Sequence, residues 1–298
     1  MERRNRIAVR DQIIPVGAGQ SLFDALQILG VNAIEVLVDI NCFVPYLRTA
    51  DAAAMSVADD GSIAETKRRL DDAQVRVAAL LVASDLAGDN AAAHVAWAIQ
   101  VARAAGALGA PVVRIDTWTA KQSLSAEQVC QNLIERLTEL LERTADTGVE
   151  LGIENHGPFS NDEQFLDRIL EAIPDPRLGL TLDTGNFYWW GHPLADVYRL
   201  IEKYAPRTKH THVKNINYPP GLAKQKRPIG HEYKEFCSPL GEGNIDLRRV
   251  VQLLESGGYL RDYCIEDESL FRFPEEGRLG VLRRDVQAMS RALEAPGG

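Results

Sequence analysis

The chain has 298 residues, 45% of them hydrophobic and 25% charged, enough apolar material for a substantial core in one large domain or two modest ones. Its formal net charge of -9 argues against a nucleic-acid partner, because such binding needs a basic face to displace counterions. Four scattered cysteines without a CxxC pair, no signal-like apolar stretch in MERRNRIAVRD and no bilayer-length apolar run point to a reduced, cytoplasmic protein with no membrane partner.

Short β-type runs are predicted at residues 6–9, 33–38, 75–82, 112–115, 150–154, 179–183, 208–214 and 262–266. Several are continuous apolar stretches rather than alternating ones, the pattern of parallel strands covered by helices on their outer face. Between them lie helical patterns. The run 95–108 is alanine-rich, which favours a helix packed closely against the strands. Ser125 to Gln128 reads as a capping box, Leu133, Leu137, Leu140 and Leu141 follow at helical spacing, and Gly148 is a plausible stop. A helix beginning near Asn161 buries Phe165, Leu166, Ile169, Leu170 and Ile173 and ends at Pro174; another runs from Pro193 to before Pro206.

Eight strand–helix repeats in this length predict the α/β class and a single (β/α)8 TIM barrel spanning residues 1–298. The alternative, an open doubly wound sheet, lacks a GxGxxG after its first strand. The longest irregular stretch, 215–245, follows the seventh strand and is rich in Pro and Gly. Such a loop leaves the carboxyl end of a barrel strand, so it is expected over the active face as a lid.

Four apolar runs end in a residue able to ligate metal: LGIENHG with Glu154, LGLTLDTGNF with Asp183, KHTHVKNI with His212 and DYCIEDES with Glu266. Any one alone reads as a cap, a turn residue or a hydrogen-bonded sheet histidine. Together, at successive strand ends, they predict one cation site, since converging carboxylates repel unless a cation lies among them. Three carboxylates and an imidazole suit one divalent ion, with Mn2+ preferred over Mg2+, Co2+ or Zn2+. Residues i and i+2 of a strand share a face, which places His156 with Glu154, and His210 and Lys214 with His212.

The segments GIENHG, LTLDTGNF, HTHVKN, LGEGNID and CIED resemble the xylose isomerase-like TIM-barrel superfamily, which includes D-tagatose 3-epimerases, hydroxypyruvate isomerases and inosose dehydratases. The resemblance is strongest from Leu151 to Glu266. It implies that Glu154, Asp183, His212 and Glu266 ligate the metal, and that Glu154 and Glu266 also move protons on opposite faces of a sugar or keto-polyol. Elementary chemistry agrees: shifting a proton beside a carbonyl needs a base at carbon and a Lewis acid for the developing charge. Proton return to the same carbon gives epimerisation and to the neighbouring carbon isomerisation; loss of hydroxide makes the enzyme a lyase.

His156, Asn186, Lys214, Arg114, Glu35, Trp118 and His210 are candidates for substrate contact, against plainer readings as second-layer hydrogen bonds, turn chemistry, an Arg114–Asp116 salt bridge and aromatic packing. Phe187, Tyr188, Trp189 and Trp190 offer an apolar wall or simple packing under the loop. The basic group Lys224, Lys226 and Arg227 with His231 reads either as an anion holder or as a solvated loop. The superfamily resemblance also implies a homodimer by analogy. Two rivals stand apart: an endonuclease IV-type repair enzyme, which needs histidines that the early strands lack, and a barrel that binds without turnover.

Overall fold

The structure is a computed structural model that describes residues 6–16, 20–47, 55–121 and 123–294. The basic start of the chain, residues 1–5, lies outside the described residues. Eight parallel strands close into a barrel: β1 Ile7–Arg10, β2 Ala33–Leu37, β3 Arg76–Val82, β4 Val112–Ile115, β5 Glu150–Glu154, β6 Leu178–Asp183, β7 Thr208–Val213 and β8 Tyr263–Ile265. Each pairs with its neighbours in sequence, and β1 closes the ring on β8 through Ile7–Tyr263 and Val9–Ile265. Every predicted strand is present to within a residue or two.

Helices cover the outside: α1 Leu22–Leu29, α2 Asp60–Asp72, α3 Ala91–Leu108, α4 Ala126–Arg143, α5 Glu163–Ala172, α6 Leu194–Tyr204, α7 Leu247–Ser256 and α8 Glu275–Glu294. Apolar residues at helical spacing on α4 and α5 face the strands and are buried. On α3 the small residues Ala98, Ala102, Ala104 and Ala105 are fully buried, letting the helix approach the barrel closely.

The predicted capping box is formed, with Ser125 Oγ accepting from Gln128 N and Ser125 N donating to Gln128 Oε1. One predicted end needs correction. The helix α4 stops at Arg143 rather than at Gly148, because Thr144 turns its hydroxyl back to Leu140 O at 2.7 Å; Gly148 instead takes φ +68° in the turn into β5. Helix α5 starts at Glu163, capped by Asp162, while Asn161 lies buried before it.

The long connection after β7 is not irregular throughout. Asn215–Ile216 pairs antiparallel with Cys237–Ser238, and short helices occupy Pro220–Ala223 and Tyr233–Phe236. Asn215 fastens its base: Nδ2 donates to Leu240 O and Ile245 O, and Oδ1 accepts from Ile245 N at 3.0 Å. Among the described residues no helix is long and apolar enough to cross a membrane, and the four cysteines are free.

Candidate metal centre at the barrel mouth

The strand ends deliver the four residues to one place. Glu154 and Asp183 are the last residues of β5 and β6, His212 is next to last in β7, and Glu266 follows β8. Asp183 and His212 are register partners, as are His212 and Cys264, so barrel pairing sets their height. One donor atom from each of Glu154, Asp183, His212 and Glu266 lies within 4.8 Å of all the others, and all four residues are buried. His212 Nδ1 sits 3.0 Å from Glu154 Oε1 and 3.3 Å from Glu266 Oε2.

Asp183 shows how turn and site combine. Its Oδ1 accepts from the N–H groups of Gly185 and Asn186, both at 2.8 Å, which closes the turn. The Asn155 side chain braces the same residue by bonding its N–H and C=O. That leaves Oδ2 buried against the Lys214 ammonium, while Glu266 Oε2 is buried between His212 Nδ1 and Lys214.

Counter-charges surround the cluster. Arg114 binds Glu154 and Asp116, and Arg10 binds Glu266. Lys214 Nζ lies 3.0 Å from Asp183 Oδ2, 3.5 Å from Glu266 Oε2 and 3.4 Å from Glu268 Oε1. Gly185 makes room for it, since a Cβ there would stand 2.6 Å from Lys214 Cγ. Five buried carboxylates, Glu35, Asp116, Glu154, Asp183 and Glu266, thus face three fixed cations, Arg10, Arg114 and Lys214. Acids outnumber the fixed cations even before Glu268 is counted, an excess of negative charge that a divalent ion would relieve. The donor set therefore fits such an ion, with Glu154, Asp183, His212 and Glu266 as the holders.

These fields shift the titrating groups. Burial would lower the His212 imidazolium, but the Glu35 and Glu154 charges and hydrogen bonds raise it to about 9. Burial would raise Glu154, yet Arg114 and His212 hold it well below the usual carboxylate range. Burial likewise opposes the Glu35 anion, and the His212 charge with hydrogen bonds from His210 and His212 overcomes it.

The sequence pattern of the family described as xylose isomerase-like TIM barrel matches residues 23–277. The chain belongs to this family. An inosose dehydratase of Klebsiella pneumoniae (strain 342) is 28% identical over 150 residues, 48% of this chain and 49% of that protein. The chain thus matches about half the length of that curated relative. Among solved structures of the xylose isomerase-like fold, the IOLI protein with a bound zinc atom superposes with TM-score 0.70 at 15% identity, covering 97% of this chain and 100% of that one. A D-tagatose 3-epimerase-like protein gives TM-score 0.67 at 17% identity, covering 97% and 99%. At such identities the structural likeness carries the fold alone.

The remaining candidates divide. Asn186 Nδ2 lies 3.3 Å from Glu154 Oε1, and Lys214 joins the cluster as described. Glu35 and His210 sit one layer deeper and reach His212 rather than the mouth. His156 is half-exposed and pairs with Asp116 at 3.1 Å, so it stands beside the site through Arg114's other partner. Trp118 is not brought in: the residue is 46% exposed, and its backbone N–H bonds Asp116. Phe187 and Tyr188 are buried packing, Phe187 stacked on Tyr204 and Tyr188 edge-on to Tyr218.

Arg227 departs from both readings of the basic group, while Lys224 and Lys226 are exposed as a solvated loop requires. Arg227 is 6% exposed, donates to the carbonyls of Leu222, Gln225, Tyr188 and His192, and lies 4.5 and 4.2 Å from the Tyr188 and Tyr218 rings. It neither meets solvent nor has a free face for an anion. Lys226 lies over Trp190. Sequence reasoning missed Arg10, which directly follows the first predicted strand, and the Tyr233–Glu268 hydrogen bond from the long loop to the mouth.

Proposed function

We propose that this protein is a divalent-metal-dependent enzyme that moves a proton beside the carbonyl of a sugar or keto-polyol, as an isomerase or epimerase. The observation that carries the reading is the buried convergence of Glu154, Asp183, His212 and Glu266 amid an excess of carboxylates over fixed cations. The bound ion, Mn2+ in our reading, supplies Lewis-acid relief of negative charge developing on substrate oxygens. Glu154 and Glu266 exchange the proton with carbon. Arg114 and Arg10 each occupy one oxygen of these carboxylates and so fix their direction. Lys214, Asn186 and His156 bind hydroxyls, and the loop 215–245 acts as a lid that excludes water, with Tyr233 holding it to Glu268.

A second reading is elimination of water from the same kind of substrate. It is favoured by the relative named inosose dehydratase and by the Lys214 ammonium, an additional proton donor beside Glu266. Both readings share the proton abstraction and differ in what leaves.

The test is incubation with Mn2+ in D2O against a panel of ketoses, keto-inositols and 3-keto-glycosides, followed by mass spectrometry. Deuterium gain with otherwise unchanged mass supports isomerase or epimerase chemistry; loss of water or of an aglycone supports the lyase. A Glu266→Gln variant that exchanges at the normal rate refutes the proton-transfer role.

A further inference from the structure

Beneath the cluster lies a contact whose chemistry is fixed by donor and acceptor type. Glu35, on β2, is fully buried and reaches across the barrel to β7. Its Oε2 stands 2.7 Å from His210 Nε2 and 2.7 Å from His212 Nε2. A carboxylate only accepts, so both ring nitrogens must carry the hydrogen. The remaining nitrogen of His212, Nδ1, points into the group formed with Glu154 and Glu266.

We infer that Glu35 is a positioning residue that locks His212 in the Nε2–H tautomer and so keeps the Nδ1 lone pair directed at the cation. This rests on the metal-centre reading above and deepens it. His210 serves the same lock from the other side. Its N–H shares the acceptor oxygen, and its ring packs edge-on to His212 with centroids 5.6 Å apart, so two donors hold the carboxylate in place. Outer partners of this kind orient the ligating imidazole and raise its basicity.

The same three residues form a second group whose donor atoms lie within 4.8 Å of one another, so a second ion needs weighing. Two ligands on one tetrahedral ion at about 2.0–2.1 Å stand about 3.3 Å apart. Both nitrogen–oxygen contacts here are 2.7 Å, the length of a charge-assisted hydrogen bond. Each imidazole thus donates to one shared oxygen, and we assign protons rather than a second metal to these contacts. One ion per chain is the consequence.

The experiment loads the full chain with Zn2+ or Co2+ and measures stoichiometry and affinity for the unaltered protein, Glu35→Gln and Glu35→Met. Nitrogen-15 histidine labelling of the Zn2+ form reads the tautomer. We expect one ion, a protonated Nε2 on His212, and affinity weakened about 10–100-fold in Glu35→Met, with Glu35→Gln between. The Co2+ absorption envelope should also change in Glu35→Met. A purely structural role lowers the melting temperature of the cation-free variants but leaves affinity and tautomer unmoved, which overturns the inference. So does a protonated Nδ1 or a second bound ion in the unaltered chain, a result that needs no variant to fold. Failure of the unaltered chain to bind either ion strikes the metal-centre reading instead, so the two failures are distinct.

Discussion

Replacing Arg227 with methionine tests whether the long loop is pinned at its base. The side chain makes four hydrogen bonds to carbonyls, at 2.6, 2.8, 2.8 and 2.9 Å, and two cation–π contacts. Hydrogen bonds from a charged group contribute about 1.5–3 kcal/mol each, and a desolvated cation–π contact about 0.5–2 kcal/mol. Their sum overstates the loss, because freed carbonyls can rehydrate and the loop can detach without the barrel opening. We expect Arg227→Met to cost about 3–5 kcal/mol in urea unfolding, with faster hydrogen exchange at the Gly230 and Ala223 amides, whose bonds to Trp189 and Pro219 carbonyls close this loop. Gly191→Ala should strike the same element, since a Cβ there, at φ +112°, would stand 2.1 Å from Arg227 O. The double variant should therefore be less damaged than the two losses added. A loss under about 1 kcal/mol, the size of an ordinary surface change, or strict additivity, would show that the guanidinium is not the peg.

Other outcomes follow from the same structure. Asp11 is raised from 3.8 to about 8, by burial first, with the Leu37 N–H opposing and the Glu35 charge adding. The folded state therefore holds a proton that the unfolded chain loses, and stability falls between pH 4 and 8 by up to about 1.4 kcal/mol per pH unit from this group. Asp11→Asn should flatten the profile of urea midpoints over that range; parallel profiles would contradict it. Removing the capping hydroxyl in Ser125→Ala should cost about 1 kcal/mol, read from the thermal midpoint. Adding Mn2+ to stripped protein should raise stability by about 2.7 kcal/mol at one hundred times Kd, while circular dichroism shows the stripped chain already folded. Gly185→Ala should displace the Lys214 stem and weaken metal binding, measured by titration, because the added Cβ meets Lys214 Cγ at 2.6 Å.

Much of the barrel was legible because parallel strands covered on both faces leave unbroken apolar runs, and the polar residue that ends each run marks the mouth. Glu154, Asp183, His212 and Glu266 are such residues, so their gathering could be anticipated. Arg10 could not be placed as readily: its partner Glu266 lies at the far end of the chain, and only closure of β1 on β8 makes them neighbours. Glu35 carried a motif but no partner for the same reason, since the histidines that it binds come from β7. Arg227 misled because a basic, proline-rich segment looks solvated; the rings that bury it, Tyr188 and Tyr218, come from separate segments. The end of α4 was missed because a threonine hydroxyl stopped the helix before the glycine could.

The three fixed cations among the mouth carboxylates also bear on how the protein is made. In small zinc domains the ion is what permits folding, so the chain and its metal are inseparable. Here Arg114, Arg10 and Lys214 already bridge the acids, so the polypeptide is expected to mature before any ion arrives. If the centre holds an ion as proposed, selection falls to supply: intrinsic affinity rises from manganese through cobalt towards copper, with zinc also above manganese, so preparations grown in different media would carry different occupants. Catalytic rates measured on such preparations are comparable only after the contents have been assayed and exchanged to a common ion.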